Sequence, residues 1–354
     1  MQDLCERLPT RIEDINAAWL NQILGGVRAA QVIRVVHGTA TKICMEIAFE
    51  PPRSPQIQRI WIKTGMEPHS ADRRMDNVYA GETLYYRQLA DRYQTRTPKC
   101  YFAATDREGH SVIVLDDLEA AGAHFIAPAE AGSVDFVARA IEAIARYQAA
   151  SWMAPELYAV DWLRTGGSHR AYDFISWLYE ISHWREYMQL PRFQKLAPEL
   201  RNRELLIRAH RRLQDDFWPQ APWALAHGDC HYGQAYQLPG GEVRFLDWQA
   251  VQIAHWAHDY SYFVAGALAI DERRRHEREL LHHYLGKLNE FGVTPVPDEA
   301  QAWLDYRAHL LHGIGWVMCP VQMQPEENCS AFAERFSTAI VDHDSLGLIL
   351  GASR

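Results

Sequence analysis

Ala224-Leu-Ala-His-Gly-Asp-Cys-His-Tyr-Gly-Gln-Ala-Tyr236, followed by Val243-Arg-Phe-Leu-Asp-Trp-Gln249, decides how the rest of this 354-residue chain is read. An apolar run leads into His227, Gly228 and Asp229. An amide, Gln234, comes five residues beyond Asp229, and a turn at Pro239-Gly-Gly241 leads to a second apolar run ending in Asp247. Apolar runs bounded by such turn residues predict strands. Two short strands joined by a tight turn bring Asp229, Gln234 and Asp247 near one another. Phosphoryl transfer from ATP requires such a set: a carboxylate to accept the proton of the attacking hydroxyl, and an amide oxygen with a second carboxylate to hold Mg²⁺ on the phosphates. The Asp-x-x-x-x-Asn spacing of kinase catalytic loops, followed by an Asp at a strand end, follows the same logic.

The segment resembles the aminoglycoside phosphotransferase and choline kinase-like superfamily, in which His-Gly-Asp-x-x-x-x-Asn precedes Asp-Phe or Asp-Trp. Leu246-Asp-Trp-Gln249 is closest to the ecdysteroid kinase-like branch, where Asp-Phe-Gln is usual. The family's Asn is Gln234 here. Glutamine keeps the carbonyl ligand and moves it by one methylene. Maltokinases, which are related sugar kinases, also carry His-Gly-Asp-x-His-x-Gly-Gln, so Gln234 reads as a tolerated variant.

Bulk composition bounds the answer without deciding it. The chain is 48% hydrophobic and 23% charged, ordinary for a globular protein, and its net charge of −9 with no basic stripe argues against a nucleic-acid partner. Its six cysteines form no Cys-x-x-Cys pair, which favours a reducing compartment over a disulfide framework or zinc ribbon. The first residues lack an apolar signal segment, and no run approaches the length of a membrane span. The expectation is a cytoplasmic protein that does not engage membranes.

Residues 12–24 read as a short amphipathic helix stopped by Gly25-Gly26. Val32–Val36 and Ile43–Phe49 read as strands enclosing Gly38, Thr39, Ala40 and Thr41. Such a loop can wrap phosphates or serve as an ordinary hairpin turn; the resemblance puts the nucleotide-phosphate loop here. Arg59–Lys63 alternates as a third strand. Lys63 at its end suits a grip on the α- and β-phosphates, although most strand-end lysines are simply solvated. Residues 77–90 read as a helix whose Glu82, with Tyr86-Arg87, matches the family's Glu-x-x-x-Tyr-Arg-x-Leu pattern, and a Lys–Glu pair holds the lysine against phosphates in kinase-like folds. Ser111–Leu115 is a strand running into Asp116-Asp117-Leu118. The resemblance makes this the hinge where backbone groups of Asp116 and Leu118 meet adenine; the plain alternative is a solvated turn.

Beyond residue 118 helical periodicity takes over. Residues 133–152 form the clearest helix, with Val137, Ile141 and Ile144 at helical spacing. Residues 155–222 are helical with many aromatics (Trp162, Tyr172, Phe174, Trp177, Tyr179, Trp184, Tyr187 and Phe193), which fit a core or a cleft for a ring or cation. Asp259 matches the family's Asp-Leu-Ala-Tyr-Phe-like segment and reads as the cap of the next helix. Helices follow at 271–292, 299–317 and 330–347.

Together these features predict a two-lobed, protein-kinase-like α+β fold. An N-terminal antiparallel sheet with a helix occupies residues 1–117, and a larger, mainly helical C-terminal lobe occupies 118–354. The expected activity is ATP- and Mg-dependent phosphorylation of a hydroxyl on a small molecule. Asp229 would be the base, Gln234 and Asp247 the metal ligands, Lys63 and Glu82 the phosphate grip, His227 a brace and His231 a residue of the substrate side. Two alternatives stand beside it: a nucleotide-binding scaffold without turnover, and a metallohydrolase using His227, Asp229 and His231 on one face of a strand.

Overall fold

The computed structural model describes residues 7–52, 59–72, 75–165 and 173–351; Cys5 and Tyr172 lie outside them. Contacts group the chain into two compact units, Met1–Arg92 with Arg96–His124, and Tyr93–Thr95 with Phe125–Arg354.

The first unit is built on a five-stranded antiparallel sheet ordered β1-β2-β3-β5-β4, with β1 Val27–Val36, β2 Thr41–Phe49, β3 Arg59–Thr64, β4 Cys100–Thr105 and β5 Ser111–Asp116. Ile43, Met45, Ile47 and Phe49 alternate along β2 and bury one face with Ile60, Ile62, Val112, Val114 and Leu20. The single helix expected over 12–24 is instead a 3₁₀ turn, Ile12–Asp14, and an α-helix, α1 Ala17–Leu24. Asn16 makes the break: its side chain accepts the amides of Ala18 and Trp19 at 3.0 and 3.1 Å and starts a new helix. Strand β4 was not anticipated, because most of its residues are half-buried on this sheet edge and show no alternation. On β3, Ile60 and Ile62 point into the core, so Trp61 and Lys63 take the opposite face, towards α2 (Asp76–Gln88).

The second unit is mainly helical. Ser133 caps α3 (Val134–Ala150) by accepting the amide of Phe136 at 3.2 Å. The Ala257–Ala267 helix is buried along its whole length and forms the centre of the unit. Around it lie the helices Ile270–Glu290, Glu299–His309, Glu326–Asp342 and Ser345–Gly351. The segment expected at 299–317 turns 3₁₀ after His309, and the last long helix begins at Glu326, with Glu326 and Glu327 in its first turn, where acidic side chains favour a helix start. Among the described residues of 155–222 most helical pieces are short, several opened by proline at the first position, and the longest is Arg203–Arg212. Tyr179, Trp184, Tyr187 and Phe193 are buried there, so these aromatics are core.

One strand pairing departs from expectation. Trp223–Ala226 pairs antiparallel with Gln252–His255, whereas Val243–Phe245 pairs with Ala235–Gln237. The Pro239-Gly240-Gly241 turn closes the local hairpin 235–245, which leaves the buried strand before His227 to pair with the later segment.

Candidate active site

In the first unit, the alternation of β3 delivers Lys63 to the face crossed by α2, and Lys63 Nζ lies 2.6 Å from Glu82 Oε2. Both side chains are buried, at 9% and 2% exposure, so each charge is taken out of water and held by the other. The loop between β1 and β2 is tied down from below. Thr41 Oγ1 donates to Glu67 Oε1 at 2.7 Å, and His37 Nδ1 lies 3.0 Å from the same oxygen. Tyr79 Oη and His69 Nε2 both donate to the Thr39 carbonyl, at 2.6 and 3.0 Å, while Gly38 and Ala40 are buried. Glu67 and Tyr79 carried no motif signal, and only their contacts reveal them. At the end of β5, Tyr101 donates to Asp116 Oδ1 at 3.1 Å, and the Asp116 amide bonds the Lys99 carbonyl at 2.9 Å. The Leu118 carbonyl accepts from Ala123 at 2.9 Å. Asp117 is buried and accepts from Trp61 Nε1 and the Glu119 amide, so this bend is a packed turn.

In the second unit the strand before the central motif ends at Ala226, and Gly228 turns the chain with φ +84°. A Cβ at Gly228 would stand 2.0 Å from the Ala250 carbonyl oxygen, so only glycine fits. Asp259 fixes the turn: its carboxylate accepts the amides of His227 at 2.7 Å and Gly228 at 3.0 Å, and the Tyr147 hydroxyl at 2.7 Å. Asp259 was expected to cap its own helix; it sits inside the first turn and makes no cap bond there, because its oxygens are committed to the loop. His227, fully buried, donates through Nε2 to the Leu246 carbonyl at 2.9 Å, tying the loop to the residue before Asp247. Asp247 takes a left-handed conformation, φ 66°, costly for a residue with a side chain and held here by its surroundings. Gln234 Nε2 donates to Asp247 Oδ2 at 3.2 Å, and the Leu246 amide returns to the Gln234 carbonyl at 3.0 Å. Asp229, about a quarter exposed, receives the Tyr262 hydroxyl on Oδ1 at 3.0 Å, and His231 Nε2 stands 4.0 Å from its Oδ2. Tyr262 is a further residue that the sequence alone did not single out.

The one-face metal site of His227, Asp229 and His231 does not form. The strand stops short of it, the His227 ring is spent on Leu246, and His231 Nδ1 accepts the Gly233 amide at 3.1 Å. Among the described residues no three His, Cys, Asp or Glu side chains are grouped to hold a metal ion. The neighbouring amide and carboxylate of Gln234 and Asp247 fit a different habit: magnesium takes hard oxygen donors, commonly one or two from protein, and completes its shell with water and phosphate oxygens.

Sheet unit, helical unit and loop together define a protein-kinase-like fold. Residues 41–292 match the ecdysteroid kinase-like family, and the chain belongs to that family. Similar solved structures include choline kinase LicA from Streptococcus pneumoniae, at 14% identity over 92% of this chain and 96% of that one, with a TM-score of 0.51. Macrolide 2'-phosphotransferase type I matches at 13% identity over 90% and 97%, with a TM-score of 0.50. The GDP and kanamycin complex of APH(2")-IIia matches at 9% identity over 91% and 97%, with a TM-score of 0.51. At these identities the likeness is one of fold. No curated protein sequence matches the chain.

Proposed function

We propose that this protein transfers the γ-phosphoryl group of ATP to a hydroxyl of a small molecule. The observation that carries the reading is a single connected loop: Asp229 braced through its backbone and side chain, with the hydrogen-bonded pair Gln234–Asp247 tied to it through His227 and Leu246. Asp229 orients the acceptor hydroxyl and takes its proton. Gln234 Oε1 and the Asp247 carboxylate are the oxygens that would hold Mg²⁺, which supplies neutralisation of the charge spread over the β- and γ-phosphates. Lys63, held by Glu82, supplies a fixed cation for the nucleotide phosphates, and the amides of 38–41 a second contact. Backbone groups near Asp116 and Leu118 take the adenine, and His231 lines the acceptor side. Residues 1–117 thus serve chiefly the nucleotide, and 118–354 carry the catalytic groups, the metal ligands and the acceptor side. Most of the acceleration comes from positioning and charge, since phosphoryl transfer asks little covalent chemistry of the protein. The five described cysteines are free thiols, which suits the cytoplasm.

Calorimetry with ATP, with and without Mg²⁺, on wild type and Asp247→Ala tests the reading, paired with a panel of hydroxylated metabolites. Mg²⁺-dependent binding that Asp247→Ala abolishes, with phosphate transferred to one acceptor, supports it. Absence of nucleotide binding under every condition overturns it. Binding without turnover on any acceptor leaves a nucleotide-binding scaffold.

A further inference from the structure

The Ala257–Ala267 helix presents Asp259 and Tyr262 three residues apart, on one face. Asp259 holds the backbone of the His227–Gly228 turn, and Tyr262 reaches the side chain of the next residue, donating to Asp229 Oδ1 at 3.0 Å. The phenol is held on all sides. It stacks on Phe336 with ring centres 5.4 Å apart and meets the His312 ring edge-on at 4.7 Å. Trp316 Nε1 donates to the phenol oxygen. The Trp316 ring is itself wedged between His231, at 4.8 Å, and Phe332, at 4.5 Å.

An indole N–H can only donate, whereas a phenol both donates and accepts. With Trp316 donating to it, the Tyr262 oxygen is the acceptor of that bond, and its own proton must go elsewhere. The group facing it is the Asp229 carboxylate. Burial, with the Asp229 charge next, pushes the Tyr262 phenol well above its ordinary range, so it stays protonated and keeps donating. The direction of the chain is therefore fixed from indole to phenol to carboxylate.

We propose that Tyr262, oriented by Trp316, is a positioning residue for Asp229: it clamps Oδ1 and so fixes the rotamer in which the carboxylate meets the acceptor hydroxyl. This rests on the phosphotransferase reading above. Without the clamp the carboxylate turns among rotamers and spends less time in the reactive geometry, a loss that falls on turnover and spares nucleotide binding.

Two measurements test it. In apoprotein labelled with ¹³Cζ-tyrosine, the Tyr262 resonance, identified by its disappearance in Tyr262→Phe, should move in both Asp229→Asn and Trp316→Phe. This needs neither nucleotide nor substrate. In turnover, Tyr262→Phe should lower kcat about ten- to hundredfold, as for the loss of a hydrogen bond to a charged group, with the KM for ATP within about twofold of wild type. Trp316→Phe keeps the phenol and should lower kcat by only about threefold, and it serves as the kinetic test if Tyr262→Phe does not fold. A Tyr262 resonance unmoved in both variants, or a Tyr262→Phe enzyme as fast as wild type, overturns the clamp and leaves the phosphotransferase reading standing. A resonance that moves in a protein that phosphorylates no acceptor keeps the contact and removes the phosphotransferase reading.

Discussion

Lys63 Nζ and Glu82 Oε2 stand 2.6 Å apart, and neither side chain is more than 9% exposed. Breaking such a pair from one side strands a charge away from water, at a cost of about 3–5 kcal/mol. Glu82→Ala should therefore lower the thermal midpoint sharply and weaken ATP binding. A double change, Lys63→Met with Glu82→Leu, should recover most of the stability and none of the nucleotide affinity. Thermal scans with and without Mg-ATP read both effects; a Glu82→Ala protein as stable as wild type would show the pair to be solvated in solution.

Gln234→Asn shortens the amide that meets Asp247 at 3.2 Å. Asparagine can still present a carbonyl to the metal, and Mg²⁺ meets the Asp247 charge that the amide N–H had met, so Mg²⁺-dependent ATP affinity should stay within about tenfold, the low end for a bond to a charged group, and turnover should hold or rise. Complete inactivation, seen in a coupled ADP-release assay, would mean the site is built for the longer side chain.

Asp259→Ala removes the acceptor shared by the His227 and Gly228 amides and the Tyr147 hydroxyl. Three buried donors lose their partner, so destabilisation of about 3 kcal/mol or more is expected, with turnover lost even at temperatures where the fold persists. Urea unfolding and activity at 10 °C separate the two losses.

Acid should weaken the fold through its buried imidazoles. Burial holds His210 down at about 4 and His309 at about 3. Both are neutral in the folded chain, and the unfolded chain takes up their protons first, from near 6.5 downward. The stability they support is thus complete above pH 6.5 and is lost as pH falls towards 4, by about 1.4 kcal/mol per pH unit for each group. The urea midpoint should decline steadily as pH falls below 6.5, less steeply in His210→Gln. A flat profile would place these rings in contact with water.

Much of this architecture is visible in the sequence because period-two and period-3.6 patterns report one-sided burial. Strands β2 and β3 and helix α3 show those patterns, β5 shows as an unbroken β-prone apolar run, and all four were anticipated nearly to the residue. Lys63 and Glu82 were paired because Glu82 with Tyr86-Arg87 resembles the family's pattern, in which a Lys–Glu pair holds the lysine against phosphates. What stayed hidden had no local signature. Strand β4 lies half-buried on an edge; the partner of Trp223–Ala226 is some thirty residues away; Glu67, Tyr79 and Tyr262 act through contacts that only tertiary packing creates. The alternative that set His227, Asp229 and His231 on one strand face fails at Gly228, whose positive φ turns the chain.

The grip of Asp259 on the loop has a consequence for transplantation. The two amides it holds belong to residues 227 and 228, and the hydroxyl it accepts comes from residue 147 in α3. The shape of the loop is thus stored in two helices outside it, α3 well before it in the chain and Ala257–Ala267 just after it. Residues 224–249 grafted alone onto a foreign scaffold would carry Asp229, Gln234 and Asp247 and none of the instructions for their arrangement, so the motif is portable only together with its helices.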